Sequence, residues 1–91
     1  MNFKVYTTPN FDREFKKAVG KDRELSVVFN KIIAMLSTDP FNLKKEYGIK
    51  KLKDVGSGKW RLRRGDYRFR YDVGGQKVIL HSIRNRKDAY K

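Results

Sequence analysis

The clearest pattern in the chain is an alternation of apolar and charged residues over residues 59–71, interrupted at Gly65-Asp66. Two alternating runs around a Gly-Asp pair predict a β-hairpin with a two-residue loop. Such a loop fixes which residues of the two strands lie opposite each other. The predicted pairs are Trp60 with Tyr71 and Leu62 with Phe69 on one face, and Arg61 with Arg70 and Arg63 with Arg68 on the other.

The second face of this hairpin therefore carries arginine opposite arginine. Like charges directly opposite on a sheet are destabilising. A polyanion lying across the face would neutralise them, so the hairpin indicates an RNA-binding surface. A basic strand face that is simply solvated is the alternative interpretation.

The segment before the hairpin predicts one strand and two helices. Residues 2–7 alternate as a short strand. Thr8 and Pro9 then suit the N-cap and first position of a helix that ends at Gly20. Its apolar face is Phe11, Phe15, Ala18 and Val19. A second helix capped by Asp22 carries the apolar stripe Leu25, Val28, Phe29, Ile32, Ile33 and Leu36 and stops before Pro40.

The rest of the chain adds one more strand. Residues 41–58 show no clear period. Gly74-Gly75 predicts a second two-residue turn, followed by a last strand over residues 77–83. The predicted pairs across this turn are Tyr71 with Val78, Phe69 with Leu80, Arg70 with Ile79 and Arg68 with His81.

These elements predict an α+β fold. A strand and two helices precede three antiparallel strands, and the helical hairpin covers one sheet face while the other face is basic. Residues 1–91 are expected to form a single domain, because the length leaves no room for a second core.

Charge strengthens the case for a polyanionic or acidic partner. The chain carries a formal net charge of +13, and the excess is concentrated between residues 41 and 70. With no cysteine and one histidine, a metal site or another cofactor is not expected. The chain shows no membrane-length apolar run and no signal-peptide core, so we expect a cytoplasmic protein.

Metal-free cleavage of RNA requires activation of the ribose 2′-hydroxyl, stabilisation of the phosphorane and protonation of the leaving oxygen. A lysine or arginine can act as a base only if its surroundings lower its pKa, and clustered cations do so because each disfavours the charge of the others. Lys59, Arg61, Arg68 and Arg70 are candidates for such a cluster. Composition alone supports phosphate binding better than catalysis, so a non-catalytic RNA-binding domain stays open.

Several segments resemble the RelE/ParE toxin superfamily. They are Lys51-Leu52-Lys53-Asp54, Gly58-Lys59-Trp60-Arg61-Leu62-Arg63, Gly65-Asp66-Tyr67-Arg68 and the closing Arg86-Lys87-Asp88-Ala89-Tyr90. The resemblance spans nearly the whole chain and includes the predicted order of elements. It implies the RelE-like, microbial-ribonuclease-like fold. The set of basic residues followed by a tyrosine favours the RelE branch, whose members cut mRNA in the ribosomal A site by 2′-hydroxyl attack. The ParE branch, which inhibits DNA gyrase without a nuclease site, is the alternative.

The resemblance also implies roles for individual residues. Lys59 or Arg61 would help to activate the 2′-hydroxyl, Arg68 would stabilise the phosphorane, Arg86 would assist the leaving group and Tyr90 would stack on the nucleotide. Contacts with RNA and the ribosome are expected from Lys51, Lys53, Arg63, Arg70, His81 and Arg84.

Two features of the sequence bear on these roles. Arginine holds its proton tightly, so Lys59 is a better base than Arg61, and His81 is the fallback. Both Arg84 and Arg86 are candidates for the leaving-group position. The resemblance further implies an acidic cognate antitoxin, together with the ribosome and mRNA, as partners.

Overall fold

The computed structural model describes residues 2–43, 45 and 48–85. The elements are β1 (Lys4–Thr7), α1 (Pro9–Lys21), α2 (Leu25–Thr38), β2 (Gly48–Lys51), β3 (Trp60–Arg64), β4 (Tyr67–Gly74) and β5 (Lys77–Asn85). The predicted α+β fold is confirmed. The sheet contains one strand, β2, that the sequence pattern did not reveal.

The five strands form one sheet in the order β1-β5-β4-β3-β2. β1 runs parallel to β5, and the four later strands pair antiparallel in sequence order. Both helices lie on one face of this sheet, where Phe29 of α2 packs against Phe15 of α1 and Phe69 of β4. Full burial of such a side chain contributes about 1.5–3 kcal/mol. The buried core is Phe11, Leu25, Ile32, Leu36, Leu62, Phe69, Tyr71, Val78, Leu80 and Ile83.

The register predicted for the β3–β4 hairpin is confirmed at all four pairs. Gly65 has a φ of +57°, a left-handed conformation that glycine adopts without steric cost. The loop is therefore the two residues Gly65-Asp66, and the alternation of the flanking strands follows from it. Leu62 and Phe69 are buried on the helix side, and the arginine pairs lie on the opposite face.

The register predicted for the β4–β5 hairpin is wrong. The loop is Gly75-Gln76, and Gly74 pairs with Lys77. Gly75 has a φ of +60° and occupies the first loop position, whereas Gly74 remains in the strand. The shift amounts to two residues near the turn, so the side chains keep their predicted faces there: Tyr71 meets Leu80 in the core.

A β-bulge shifts the register again beyond this turn. The pairing slips between Arg70 and Tyr71, which leaves His81 as the extra residue on β5. The prediction that His81 lies beside Arg68 is therefore wrong, and Arg84 takes that place. Helix α1 supports the bulge, because Asn10 donates a hydrogen bond to the His81 carbonyl at 3.0 Å.

Strand β2 was missed because Ile49 is its one apolar residue with a side chain turned to the core. A single inward position produces no alternation that a sequence pattern can detect. β2 is an edge strand that pairs with β3, with Lys50 opposite Arg61 and Lys51 opposite Trp60.

The connection between the helices also differs from the prediction. α1 continues through Gly20, which does not adopt a positive φ, and ends at Lys21. α2 begins only at Leu25, without a side-chain cap. Asp22 instead organises the turn between them, accepting the Glu24 N–H on its carboxylate at 3.2 Å. The predicted start of α1 is confirmed, because the Thr8 hydroxyl accepts the Phe11 N–H at 3.1 Å.

Candidate functional site

The sheet surface opposite the helices is called the basic face below. Strand alternation places there the cations of β2 to β5, since Leu62, Phe69 and Tyr71 point the other way. Lys59 precedes β3, but its carbonyl accepts the Leu52 N–H at 2.7 Å, which extends the β2–β3 pairing by one step. The cations at the centre of this face are Lys50, Lys59, Arg61, Arg63, Arg68, Arg70 and Arg84, and Lys77 and Lys4 lie on the same face toward the β1 edge.

Arg61 and Arg68 are the unsatisfied cations at the centre of the basic face. Both are partly buried, and the Nε of each is shielded from solvent without a hydrogen-bond partner among the described residues. A buried donor without an acceptor costs about 1–3 kcal/mol. An anion bound across these two side chains would supply the missing acceptors and neutralise the neighbouring charges.

Arg70 is held differently, although it pairs with Arg61 across the strands. Its Nε donates to the Gly58 carbonyl at 3.0 Å, and its Nη2 donates to the Ser57 carbonyl at 3.2 Å. These bonds turn the guanidinium toward the segment before β3. They relieve part of the like-charge conflict that the sequence predicted for this pair.

Asp72 supplies the acidic group of this region. Its carboxylate accepts the N–H of Gly58 at 2.9 Å and that of Lys59 at 2.8 Å, and it contacts His81 Nε2 at 2.9 Å. Burial opposes ionisation of Asp72, but the two backbone hydrogen bonds and His81 together hold its pKa below the usual value. The carboxylate is therefore ionised near neutral pH.

An open groove of about 390 Å³ adjoins this cluster. It lies between the start of α1, the segment before β3 and the bulge in β5. Hydroxyl, amide, imidazole and guanidinium groups all reach it, so it is polar and partly cationic. The lining residues are Thr8, Pro9, Asn10, Ser57, Gly58, Arg70, His81 and Ser82.

No protein-family model and no curated protein matches the chain. Solved structures do resemble it. A chain of the RelBE2 toxin–antitoxin complex from Mycobacterium tuberculosis superposes with a TM-score of 0.76 at 24% identity, covering 94% of this chain and 100% of that one. For the RelE–RelB complex from Pyrococcus horikoshii the values are 0.71, 21%, 94% and 97%. For the DinJ–YafQ complex from E. coli they are 0.75, 11%, 98% and 99%.

This chain has the RelE-like fold. The resemblance drawn from the sequence motifs is thereby confirmed for the architecture, from the order of the elements to the single sheet. Because these identities are all below 25%, the similarity concerns the fold. The chemistry of this chain depends on the side chains that its own basic face presents.

Three of the five residues assigned to catalysis can be located. Lys59, Arg61 and Arg68 lie together on the basic face of the RelE-like fold. Arg86 and Tyr90 lie outside the described residues. Their proposed roles rest on the sequence motif alone.

Arg84 and Arg63 both lie beside Arg68. Arg84 is directly opposite Arg68 across the β4–β5 pair, and its Nε forms an ion pair with Glu14 Oε2 at 2.9 Å. Arg63 is the cross-strand partner of Arg68 on β3 and is exposed. The three guanidinium groups therefore come from three neighbouring strands.

The two lysines assigned to RNA contacts are placed apart from this cluster. Lys51 alternates to the helix side of the sheet, where its ammonium lies 5.8 Å from the centre of the Trp60 ring. Lys53 is exposed in the segment between β2 and β3. Lys50, which the sequence left unassigned, is the β2 residue that belongs to the basic face.

Asp72 was also missed, although a signal for it was present. Trp60 pairs with Tyr71 in the predicted hairpin register. One further step of that register sets Asp72 opposite Lys59. No periodic pattern in the sequence reveals the backbone hydrogen bonds that Asp72 accepts.

Within residues 2–43, 45 and 48–85, no cluster of three histidine or acidic side chains could bind a metal ion. Over the same residues, no helix has the length and apolarity to cross a membrane.

Proposed function

We propose that this protein is the toxin of a type II toxin–antitoxin system and that it cleaves mRNA in the ribosomal A site. The observation that carries the proposal is the pair Arg61 and Arg68. They are partly buried guanidinium groups on adjacent strands, without acceptors in the described part of the chain, beside Lys59 on the RelE-like fold. Protein acceptors hold Arg70 and Arg84, whereas Arg61 and Arg68 are left for an external anion.

The reaction needs no metal when protein cations stabilise its charges. A base removes the proton of the ribose 2′-hydroxyl, and the resulting oxygen attacks the adjacent phosphorus. The bond to the 5′-oxygen breaks, which leaves a 2′,3′-cyclic phosphate and a 5′-hydroxyl once that oxygen receives a proton. Lys59 is the proposed base, and Arg61 and Arg68 stabilise the charge that accumulates on the phosphorane oxygens.

The remaining steps involve the end of the chain. Arg84 or Arg86 assists departure of the 5′-oxygen, and Tyr90 stacks on the nucleotide base. Lys50, Arg63 and Lys53 bind RNA phosphates around the cut site, since exposed cations supply affinity that depends on salt. The net charge of +13 also suits an acidic antitoxin that covers this face and blocks access to RNA.

The hairpin offers a matched pair of variants that tests the site. Arg68→Ala removes a guanidinium from the basic face, whereas Arg64→Ala removes one from the same hairpin on the opposite face. On induction in cells, Arg68→Ala should abolish growth arrest and the A-site cuts seen by primer extension. Arg64→Ala should retain both. Thermal unfolding of the purified variants shows whether each is folded.

Three outcomes would contradict the proposal. Cleavage by folded Arg68→Ala at the wild-type level would show that Arg68 and the basic face around it are not the cleavage site. Intact mRNA, together with trapped cleaved complexes of DNA gyrase, would identify a ParE-like gyrase inhibitor instead. RNA that is bound but never cut would indicate a non-catalytic RNA-binding domain.

A further inference from the structure

We propose that Asp72 is the positioning residue for Lys59, fixing the backbone from which the lysine reaches the scissile nucleotide. This inference rests on the proposed function, because it assigns Lys59 its task. Asp72 acts through the segment before β3, whose backbone N–H groups it binds. The candidate site then includes the Asp72 carboxylate as well as the cations.

The first observation is the pair of backbone hydrogen bonds. Consecutive N–H groups, those of Gly58 and Lys59, both donate to the Asp72 carboxylate, at 2.9 and 2.8 Å. Hydrogen bonds to an ionised acceptor are about twice as strong as those between neutral groups. Two of them at adjacent residues fix both the position and the direction of the chain where it enters β3.

The second observation is that the backbone carbonyl groups of the same segment also accept hydrogen bonds from β4. Arg70 donates to the carbonyls of Ser57 and Gly58. A carboxylate and a guanidinium, two residues apart on β4, therefore bind the N–H and C=O groups of residues 57–59. Gly58 permits this approach, because its φ is +63° and an added Cβ would lie 3.2 Å from the Arg70 Cβ.

The third observation explains why Asp72 leaves the lysine available. Opposite charges that face each other across two strands attract, so an ion pair between Asp72 and Lys59 would be favourable. Here the carboxylate is occupied by two backbone N–H groups and by His81 Nε2, which the β-bulge brings to 2.9 Å. Within the described residues, Lys59 makes no ion pair with Asp72. The Lys59 side chain is therefore free to point to the substrate.

The test compares Asp72→Asn with Asp66→Asn. Both remove one negative charge from the same hairpin, but Asp66 lies exposed in the β3–β4 loop and makes none of these contacts. Single-turnover cleavage of mRNA on programmed ribosomes is measured with the protein in excess, over a range of protein concentrations. Asp72→Asn should lower the rate constant at saturation about tenfold or more, because misplaced catalytic groups lose much of their effect. The half-saturating concentration should stay within about twofold.

This readout separates positioning from folding. A variant that is merely less stable would lose active molecules and give the wild-type rate constant at saturation. Asp66→Asn should match the wild type in both quantities. A wild-type rate constant for Asp72→Asn would overturn the inference.

A second measurement uses the wild-type protein alone and requires neither ribosomes nor a folded variant. The amide proton signals of Gly58 and Lys59 are followed by NMR as the pH is lowered. Both should shift together with one midpoint below about 3.9, the ordinary pKa of aspartate. Signals that do not follow the Asp72 carboxyl would contradict the positioning contacts. If the contacts are present but the wild type cuts no mRNA, the proposed function fails separately.

Discussion

Arg84 lies directly opposite Arg68 across the β4–β5 pair, and Glu14 of α1 holds its Nε at 2.9 Å. The pairing depends on the bulge at His81, because the register next to the Gly75-Gln76 turn, continued without the bulge, would have put Ile83 there. The two arginines thus face each other on neighbouring strands, and Glu14 is the ion-pair partner of one of them. Arg84 is also 68% exposed, so the tether leaves most of its side chain accessible.

This relationship predicts which arginine assists the leaving group. Arg84→Ala should lower the single-turnover rate of mRNA cleavage more than Arg86→Ala, with a loss of about tenfold or more. The physical reason is that the β5 register already sets Arg84 beside Arg68. Loss of cleavage in Arg86→Ala, with activity retained in Arg84→Ala, would assign the role to Arg86 instead.

Lys59 is expected to contribute more to the chemical step than to ribosome binding. Lys59→Ala should lower the saturating rate constant by about 100-fold, a typical effect of losing a general base. Lys17→Ala removes the same charge from the exposed surface of α1 and should leave the rate within about twofold. Equal losses in the two variants would mean that total charge, and not the position of Lys59, controls the activity.

Gly58 should be intolerant of a side chain. Gly58→Ala forces a left-handed conformation on alanine and brings its Cβ within 3.2 Å of the Arg70 Cβ. The free energy of unfolding should fall by more than about 1 kcal/mol, as measured by chemical denaturation. Gly56→Ala has open space and no positive φ, so its effect should stay within about 0.5 kcal/mol. Similar values for the two variants would refute the close packing of Gly58 on Arg70.

Asp72 should make the stability depend on pH in the acid range. Its pKa is lowered in the folded protein, so the carboxylate binds protons more weakly than in the unfolded chain. Its contribution is therefore fully present above the unfolded value of about 3.9 and is lost as the pH falls through the lower folded value. Thermal unfolding between about pH 6 and pH 2.5 should show this loss in the wild type and a smaller one in Asp72→Asn. Parallel curves would show that Asp72 gains no stabilisation from its partners.

Tyr71 provides a test of the core beneath the basic face. Its side chain is fully buried, and its hydroxyl donates to the Pro40 carbonyl at 2.7 Å. Burial, aided by the nearby charge of Asp39, raises the pKa of Tyr71 far above its usual range. Tyr71→Phe leaves the carbonyl without this donor and should destabilise the protein by about 1–3 kcal/mol. Tyr6→Phe, on an exposed side chain, should change the stability by less than about 0.5 kcal/mol; a comparable loss there would argue against a specific effect of the buried hydrogen bond.

The sequence predicted the structure where one local feature determined the outcome. Alternation around Gly65-Asp66 specified both the turn and the faces of β3 and β4. The second hairpin offered two adjacent glycines, and only backbone conformation decided that Gly75 opens the loop. The bulge at His81 depends on hydrogen bonds from α1, which no pattern within β5 encodes.

Some residues of the candidate site were predictable from the sequence, and others were not. Arg61 and Arg68 were predictable, because strand period and charge are visible in the sequence. The tethering of Arg70 to Gly58 and the role of Asp72 were not, because they involve loop carbonyl and N–H groups that every residue possesses. Such contacts become apparent only when the fold brings the loop to β4.

The basic face is proposed to cut mRNA in the ribosomal A site. The most direct measurement incubates purified protein with ribosomes stalled at a defined codon and maps the ends of the mRNA, with ribosome-free mRNA as the control. The expected result is a set of cuts within the A-site codon that leave 2′,3′-cyclic phosphates, appear only with ribosomes and disappear with Arg68→Ala. Intact mRNA on the ribosome, or identical cuts in ribosome-free RNA, would contradict it.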